Sequence, residues 1–223
     1  MKKSLLILPA LCLAAFSAGQ GAQLLRIKAK PGQVMKYVMD MQSGTSSQSM
    51  KMGMGMTMKV AAVKNGQWTI HSTIGNVTMN GQPAPAAATE QLKKMLMVTV
   101  MDSRATVLKS ETRGIAGMPN NSQGTSVPFP KNPVKVGSTW SGSASIQGQK
   151  VETSYKLIAF KPVNGKAAAV IHATPKGMAN FKTNGPIVYS VELATGFPLS
   201  MSMTGTVTQG TNTQTMKMTM RRV

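Results

Sequence analysis

The chain has 223 residues, of which 20 are methionine and one is cysteine, and its formal net charge is +19. A single cysteine excludes a disulfide framework and a cysteine-ligated zinc site. The basic residues are not interleaved with aromatic residues as a groove for single-stranded nucleic acid requires, so no specific nucleic-acid site is expected. Beyond the N-terminus, no segment is apolar for long enough to span a membrane. The remaining length of about 200 residues suffices for one large β-domain or two fused small ones.

Residues 1–19 have the pattern of a secretory signal peptide. Lys2 and Lys3 form a short basic segment, residues 5–16 are an apolar run, and small residues at 17–19 offer a cleavage site. Cys12 lies inside the apolar run, but Leu11 before it does not suit a lipoprotein signal, which requires a small residue at that place. The leader predicts an exported protein, located in the periplasm or outside the cell.

Positive charge is the second compositional signal. Without Lys2 and Lys3 the chain has 23 basic and six acidic residues, a formal charge of +17. A charge of this size attracts polyanions such as lipopolysaccharide, teichoic acid or nucleic acid. The alternative is a solvated, lysine-rich face without a partner, and the spread of lysines along the whole chain favours that alternative.

Every second residue from Met50 to Met58 is methionine, which is the side-chain period of a β-strand. The thioethers of this strand therefore lie on one face of the sheet. The same alternation returns twice in the C-terminal part of the chain. Together with one tryptophan, these methionines form the predicted apolar ligand face: Met50, Met52, Met54, Met56, Met58, Met201, Met203, Met216, Met218, Met220 and Trp140.

The same methionines permit a second interpretation. Thioether sulfur is a soft ligand that suits Cu(I) or Ag(I). Residues i and i+2 of one strand are about 6.5–7 Å apart, so only adjacent pairs, or pairs across strands, can share an ion. A third interpretation is that methionine, being flexible, fills the apolar side of the sheet as core. The alternative metal ligands are Met52, Met54, Met56, Met216 and Met218.

An internal repeat divides the chain into two halves, residues 20–112 and 129–223, with a linker at 113–128. Asn65-Gly66 and Asn164-Gly165 each lie between alternating strands, and Asn-Gly is the strongest short sequence signal for a β-hairpin. Thr89 predicts the cap of one short helix near 89–96. The predicted fold is mainly β: an antiparallel curved sheet or half-barrel built from two similar meander halves, with one short helix.

Residues 130–140, Pro-Lys-Asn-Pro-Val-Lys-Val-Gly-Ser-Thr-Trp, resemble a signature of exported bacterial β-sheet proteins of unknown function, P-x-x-P-V-x-V-G-x-x-W. The overall plan is more distantly similar to the half-barrels of lipoprotein-localisation factors, in which a curved antiparallel sheet cups an apolar ligand. The resemblance implies a two-half β-sheet architecture. It implies no activity, because the family has none assigned.

The chain offers little material for catalysis. His71 and His172 lie at corresponding points of the repeat, which indicates a structural role. The sequence has no Gly-x-Ser-x-Gly elbow and no phosphate-binding glycine loop. The acidic residues are scattered along the chain, which does not suggest a two-carboxylate site: Asp40, Glu90, Asp102, Glu111, Glu152 and Glu192. We expect no catalytic residue, no enzymatic activity and no cofactor.

The one-faced methionine strands behind a secretory leader predict a non-enzymatic binding protein. Its predicted ligand is an apolar or amphipathic envelope component, such as a lipid or a lipidated partner. Two alternatives remain open at this point: binding of a soft metal ion by the methionine clusters, and attachment to a polyanion or the cell wall through the positive charge.

Overall fold

The structure is a computed structural model that describes residues 21–45, 48–114, 127–146, 149–178, 180–210 and 212–223. The predicted signal peptide and residues 115–126 of the predicted linker lie outside these ranges. The elements within them are, in chain order, β1 (Val34–Gly44), β2 (Ser49–Lys64), β3 (Gln67–Met79), β4 (Gln82–Pro83), α1 (Ala86–Lys93), β5 (Leu96–Asp102), β6 (Val107–Arg113), β7 (Thr139–Ile146), β8 (Gln149–Val163), β9 (Lys166–Lys176), β10 (Phe181–Thr183), β11 (Ile187–Glu192), β12 (Pro198–Gln209) and β13 (Asn212–Arg222).

All of these strands belong to one curved antiparallel sheet that is not closed. The order of the strands is β6-β5-β3-β2-β1-β13-β12-β11-β9-β8-β7, with β4 beside β3 and β10 beside β12. The N-terminal half therefore forms one side of the sheet and the C-terminal half the other, and β1 and β13 join them at the centre. The predicted mainly β fold, a curved antiparallel sheet with one short helix, is confirmed.

The two Asn-Gly hairpins form as predicted. Asn65 and Gly66, between β2 and β3, have φ angles of 50° and 70°, and Asn164 and Gly165, between β8 and β9, have φ angles of 50° and 73°. A type I′ turn requires positive φ at both central residues, which asparagine and glycine tolerate. The β2–β3 hairpin contains two register shifts along its strands and the β8–β9 hairpin contains one.

A second turn has the same geometry in both halves, just before the first strand of each. The N–H of Gly32 donates to the carbonyl of Val60, and the N–H of Gly137 donates to the carbonyl of Leu157, both at 2.8 Å. The N–H groups of Val60 and Leu157 donate in return to the residue that follows each glycine. Both glycines have positive φ, 82° and 89°. The two halves thus enter the sheet in the same way.

The helix begins three residues earlier than the predicted start at Thr89. Its N-cap is Pro85, and no side chain caps it. The Thr89 hydroxyl lies inside the helix and donates to the carbonyl of Pro85 at 3.1 Å. Alanines 86–88 explain the shift, because alanine has the highest helix propensity and the fixed φ of the preceding proline suits a helix start. Leu96, predicted to end the helix, is the first residue of β5.

Two segments without regular structure cross one face of the sheet, which we call the inner face, and complete the core. The first, residues 23–30, contributes Leu25, Ile27 and Ala29, and the second, residues 127–135, contributes Phe129 and Val134; all five are buried. We call them the first and second crossing segments. They pack with strand residues from both halves in a single hydrophobic cluster, so the two halves share one core.

The crossing segments are bonded to one another as well as to the sheet. Gln23 and Val134 exchange two backbone hydrogen bonds of 2.8 Å. The Arg26 guanidinium donates to the carbonyls of Pro130 and Lys131 at 2.8 and 2.6 Å. The predicted linker therefore ends before Val127, which is buried as part of the second crossing segment.

The two tryptophans fix the crossing segments to the sheet. Trp68 Nε1 on β3 donates to the carbonyl of Ala29 at 2.8 Å, and Trp140 Nε1 on β7 donates to the carbonyl of Pro128 at 2.7 Å. Trp140 also stacks on Tyr155, with ring centroids 5.6 Å apart. Each half thus uses one indole to hold one crossing segment.

Candidate apolar ligand site

Methionines of four adjacent strands lie directly opposite one another on the inner face. Opposed residues of antiparallel strands have Cβ atoms about 4.5–5.5 Å apart, so their side chains can touch. We call eight of these residues the methionine grid, and it has two rows. The inner row, on β2, β1, β13 and β12, is Met54, Met39, Met220 and Met201. The outer row, on the same strands, is Met52, Met41, Met218 and Met203.

Exposure rises along the strands from the inner row outward. Met201 and Met220 of the inner row are only 3% and 5% exposed. The outer row is half-buried throughout. Met50, one step beyond it on β2, is 44% exposed, and Met79, opposite Met52 on β3, is 38% exposed. The grid is therefore core at one end, which we call the covered end, and accessible surface at the other, the open end.

An apolar cavity of about 160 Å³ lies beside the inner row, and we call it the inner cavity. The crossing segments contribute Ile27 and Phe129 to its wall, and Tyr189 adds an aromatic ring. Apolar cavities of about 150 Å³ stay dry and accept small apolar molecules. The methionines that line it are Met56, Met58, Met97, Met101 and Met220.

The open end has a border on each side. On β12, Gly205 follows Met203 on the inner face, and a side chain at this glycine would collide with the ring of Phe181 on β10. On the other side, α1 packs against β3. The half-exposed methionines between these borders span five strands, from β3 to β12, or about 19 Å at the usual strand spacing.

The structure brings the predicted methionines together, but it does not bring Trp140 to them. Met216 lies one step beyond the outer row, opposite Ser43 and Gly205. Trp140 lies on β7, the edge strand, five strands from β13. Its indole donates a hydrogen bond to the second crossing segment and stacks on Tyr155. The members of the predicted face beside or in the grid are Met50, Met52, Met54, Met56, Met58, Met201, Met203, Met216, Met218 and Met220.

The sequence interpretation missed the methionines of β1, which form the middle of the grid. Met35, Tyr37, Met39 and Met41 alternate with polar residues or valine over seven positions. The same period-two pattern that identified β2 was therefore present in β1. The methionines of β3 and β5 have no comparable pattern, since Met79, Met97 and Met101 are separated by other apolar residues.

The two histidines lie away from the grid. His71 pairs with Lys59 and His172 with Lys156 across their hairpins. Lys59 alternates with Met58, so His71 is on the outer face. Within the described ranges, no group of three or more His, Cys, Asp and Glu side chains is placed to hold a metal ion. The outer face of the grid strands is basic, because Lys51 and Lys217 lie on either side of Gln42.

A buried ion pair lies at the covered end of the grid. Arg222 on β13 lies opposite Tyr37, and its Nη2 atom is 2.7 Å from Oε2 of Glu192. The Thr195 hydroxyl donates to the same oxygen at 2.5 Å. Burial acts to raise the pKa of Glu192, but the hydrogen bond from Thr195, the ion pair with Arg222 and the other nearby positive charge outweigh it and hold the pKa below its usual value.

Among the described residues that line the inner cavity, the one ionisable side chain is the phenol of Tyr189. Burial raises the pKa of Tyr189 far above its usual value, so the ring stays neutral. The cavity therefore offers apolar contact with little polar chemistry, which suits a ligand without charge at its buried end.

No family model and no curated protein matches the sequence. Two solved structures that it resembles are a DUF1329 family protein from Desulfovibrio piger, with 10% identity and a TM-score of 0.30, and a LolA superfamily protein from Nitrosomonas europaea, with 6% identity and a TM-score of 0.27. The matches cover 85% and 86% of this chain and 85% of each relative. Likenesses this weak carry no argument about function, and the family suggested by residues 130–140 stays a prediction.

Within the described residues, no helix is both long and apolar enough to span a bilayer.

Proposed function

We propose that the protein binds an apolar or amphipathic chain, such as an acyl chain of an envelope lipid or of a lipidated partner, and does not alter it chemically. One observation carries this proposal: a methionine-lined cavity lies beside half-exposed methionines on the same face of the sheet. Met56 of the cavity wall and Met54 of the grid are neighbours on one face of β2, and Met220 belongs to both.

The size of the cavity limits what it holds. A volume of about 160 Å³ is of the size that accepts a small ring or the end of a chain, and is too small for a whole lipid. The rest of the ligand lies along the outer row at the open end. Unbranched, polarisable methionine side chains adapt to chains of different shape, as they do on other binding surfaces with several ligands.

Charge and export pattern agree with such a ligand. A formal net charge of +19 favours an anionic headgroup over a cationic one. The signal-peptide pattern of residues 1–19 supports export to the periplasm or outside the cell, where envelope lipids and lipidated proteins are found.

A fluorescent fatty acid tests the proposal. We expect it to bind the wild-type protein with increased emission. Met58→Trp fills the inner cavity and should weaken the affinity by about ten-fold or more, because the chain end loses its pocket. Thr57→Trp is the matched control, since it adds the same ring to the opposite face of the same strand. No binding by wild type, or equal affinity for the two variants, contradicts the proposal.

The natural ligand can be identified without choosing it beforehand. Native mass spectrometry of the protein purified from its own envelope should show an added mass, and tandem spectra should assign that mass to a lipid or acylated molecule. If the purified protein shows no added mass in either mild or harsh detergent, the methionines serve only as packed core and the binding proposal is wrong.

A further inference from the structure

The outer row of the grid places three thioethers on three adjacent strands. Met41 on β1 lies directly opposite Met52 on β2 and directly opposite Met218 on β13. The separation of about 6.5–7 Å between alternate residues of one strand is thereby replaced by a Cβ separation of about 4.5–5.5 Å between strands. Rotation about the Cα–Cβ and Cβ–Cγ bonds sets the position of each sulfur, so the two outer side chains can lean toward the central strand and bring their sulfur atoms near that of Met41.

The row lies toward the open end of the grid. Its members are half-buried, as are Met39 and Met54 of the inner row, whereas Met201 and Met220 are packed in the core. An ion from solvent therefore meets the outer row first. Further thioethers lie at both ends of the three, Met79 beyond Met52 and Met203 beyond Met218, each two strands from Met41.

The donor set selects the kind of ion. Thioether sulfur is soft and neutral and suits Cu(I) and Ag(I), whereas Ca²⁺ and Mg²⁺ require oxygen ligands and Zn²⁺ prefers thiolate, imidazole or carboxylate. The described residues contain no cluster of such harder ligands, and His71 lies on the opposite face of the sheet.

We propose that the outer row binds one Cu(I) or Ag(I) ion through the thioethers of Met41, Met52 and Met218. The site goes beyond the binding of an apolar chain and does not depend on it, because the inner cavity and the outer row are separate parts of the inner face. Occupation of the row by an ion would place a positive charge on the path that the apolar chain follows, so the two ligands compete at the open end.

Silver is the practical probe, because Ag(I) is stable in air. The protein without the predicted signal peptide, and therefore without the Cys12 thiol, is labelled with ¹³C at the methionine methyl groups and titrated with silver nitrate in chloride-free buffer. We expect the methyl signals of Met41, Met52 and Met218 to shift together and to stop shifting near one equivalent. Signals that do not move, or signals of the cavity methionines moving instead, would overturn the assignment.

Substitution by leucine gives the second measurement. Leucine keeps the volume and the apolar character of methionine but removes the sulfur, so M41L/M52L/M218L should fold normally. We expect its affinity for Ag(I), and for Cu(I) measured anaerobically by competition with bicinchoninate, to fall by at least about ten-fold. M56L/M97L/M101L removes three sulfurs from the inner cavity and should bind the ion as wild type does. Equal affinity of the two triple variants would overturn the proposal.

The outcome is separable from that of the apolar ligand. M41L/M52L/M218L should lose silver whether or not the fatty acid binds, because the three substitutions lie outside the wall of the inner cavity. Met58→Trp should lose the fatty acid and retain silver. The silver measurement and the fatty-acid measurement therefore test the two proposals separately, and one proposal can fail without the other.

Discussion

The covered end and the open end of the methionine grid use the same strands and the same residue, yet their environments are opposite. Met220 is 5% exposed and shares a cavity wall with Ile27 and Phe129 of the crossing segments. Met50 is 44% exposed. The strand period determines which face a methionine occupies. Whether that face is core or surface depends on the crossing segments, which cover only one end of it.

The largest expected effect is at the covered end, where the ion pair is buried. Glu192→Gln should lower the free energy of unfolding by about 3–5 kcal/mol, because Arg222 is left buried without its counter-charge. Urea denaturation measures the change. Glu152→Gln breaks an exposed pair with Lys150 and should change the stability by less than about 1 kcal/mol. Similar decreases in the free energy of unfolding for the two variants would show that burial does not make the Glu192 ion pair more important for stability than the exposed pair.

The same carboxylate makes stability depend on pH. The folded-state pKa of Glu192 lies below its value of 4.5 in the unfolded chain, so its contribution is complete above that pH. The contribution is lost as the pH falls from 4.5 through the lower folded-state pKa, where the folded protein must take up the proton. In Glu192→Gln the free energy of unfolding should fall less steeply over this acidic range than in wild type. Parallel curves for the two proteins would contradict the assignment.

Truncating one methionine at each end compares the two ends directly. Met220→Ala should cost about 2–5 kcal/mol, since it leaves a void in a packed core. Met50→Ala should change the free energy of unfolding by less than about 0.5 kcal/mol, because nearly half of that residue already contacts water. Equal costs would mean that the open end is covered in solution.

Loosening the crossing segments should have a smaller effect. Trp68→Phe removes the hydrogen bond to the carbonyl of Ala29, and Trp140→Phe removes the bond to the carbonyl of Pro128. Each change should cost about 1–2 kcal/mol, and the double variant should show the sum, because the two bonds hold different segments. A single large loss from either variant alone would indicate that the crossing segments detach together.

Oxidation should distinguish the two ends with the least effect on stability. Hydrogen peroxide transfers one oxygen atom to a thioether and leaves water, and accessible methionines react first. Peptide mass spectrometry should find sulfoxide at Met50 and Met79 well before Met201 and Met220. The free energy of unfolding should stay nearly unchanged while only the open end is oxidised. Early reaction of Met201 would show that the covered end opens readily.

Local sequence signals predicted much of the sheet. Asn65-Gly66 and Asn164-Gly165 identified the two long hairpins, because the positive φ values of a tight turn are satisfied by few residue pairs. The alternation around Met54 identified the face of β2. The predicted start of the helix is wrong. Thr89 is the predicted N-cap because threonine is a common capping residue, but the alanines before it are better helix formers and the helix begins at Ala86.

The grid itself was beyond local signals. Alternation shows that Met41, Met52 and Met218 each point to one side of a strand, but it does not show which strands are neighbours or in what register. The crossing segments were missed for a related reason. Leu25, Ile27 and Phe129 have no period of two, because they lie in irregular backbone that is held by tertiary hydrogen bonds.

The position of β13 has a consequence for the order of folding. β13 is the last described strand to be synthesised, and it pairs with β1, the first, on one side and with β12 on the other. Contacts between residues so distant in sequence form slowly, because a long loop must close before they are made. Until β13 pairs with β1, Met39 and Met41 have a neighbouring strand on one side only. Before β13 is made, the chain can bring together only the methionines of neighbouring strands such as β1 and β2, and the full grid forms when β13 pairs with β1 and β12.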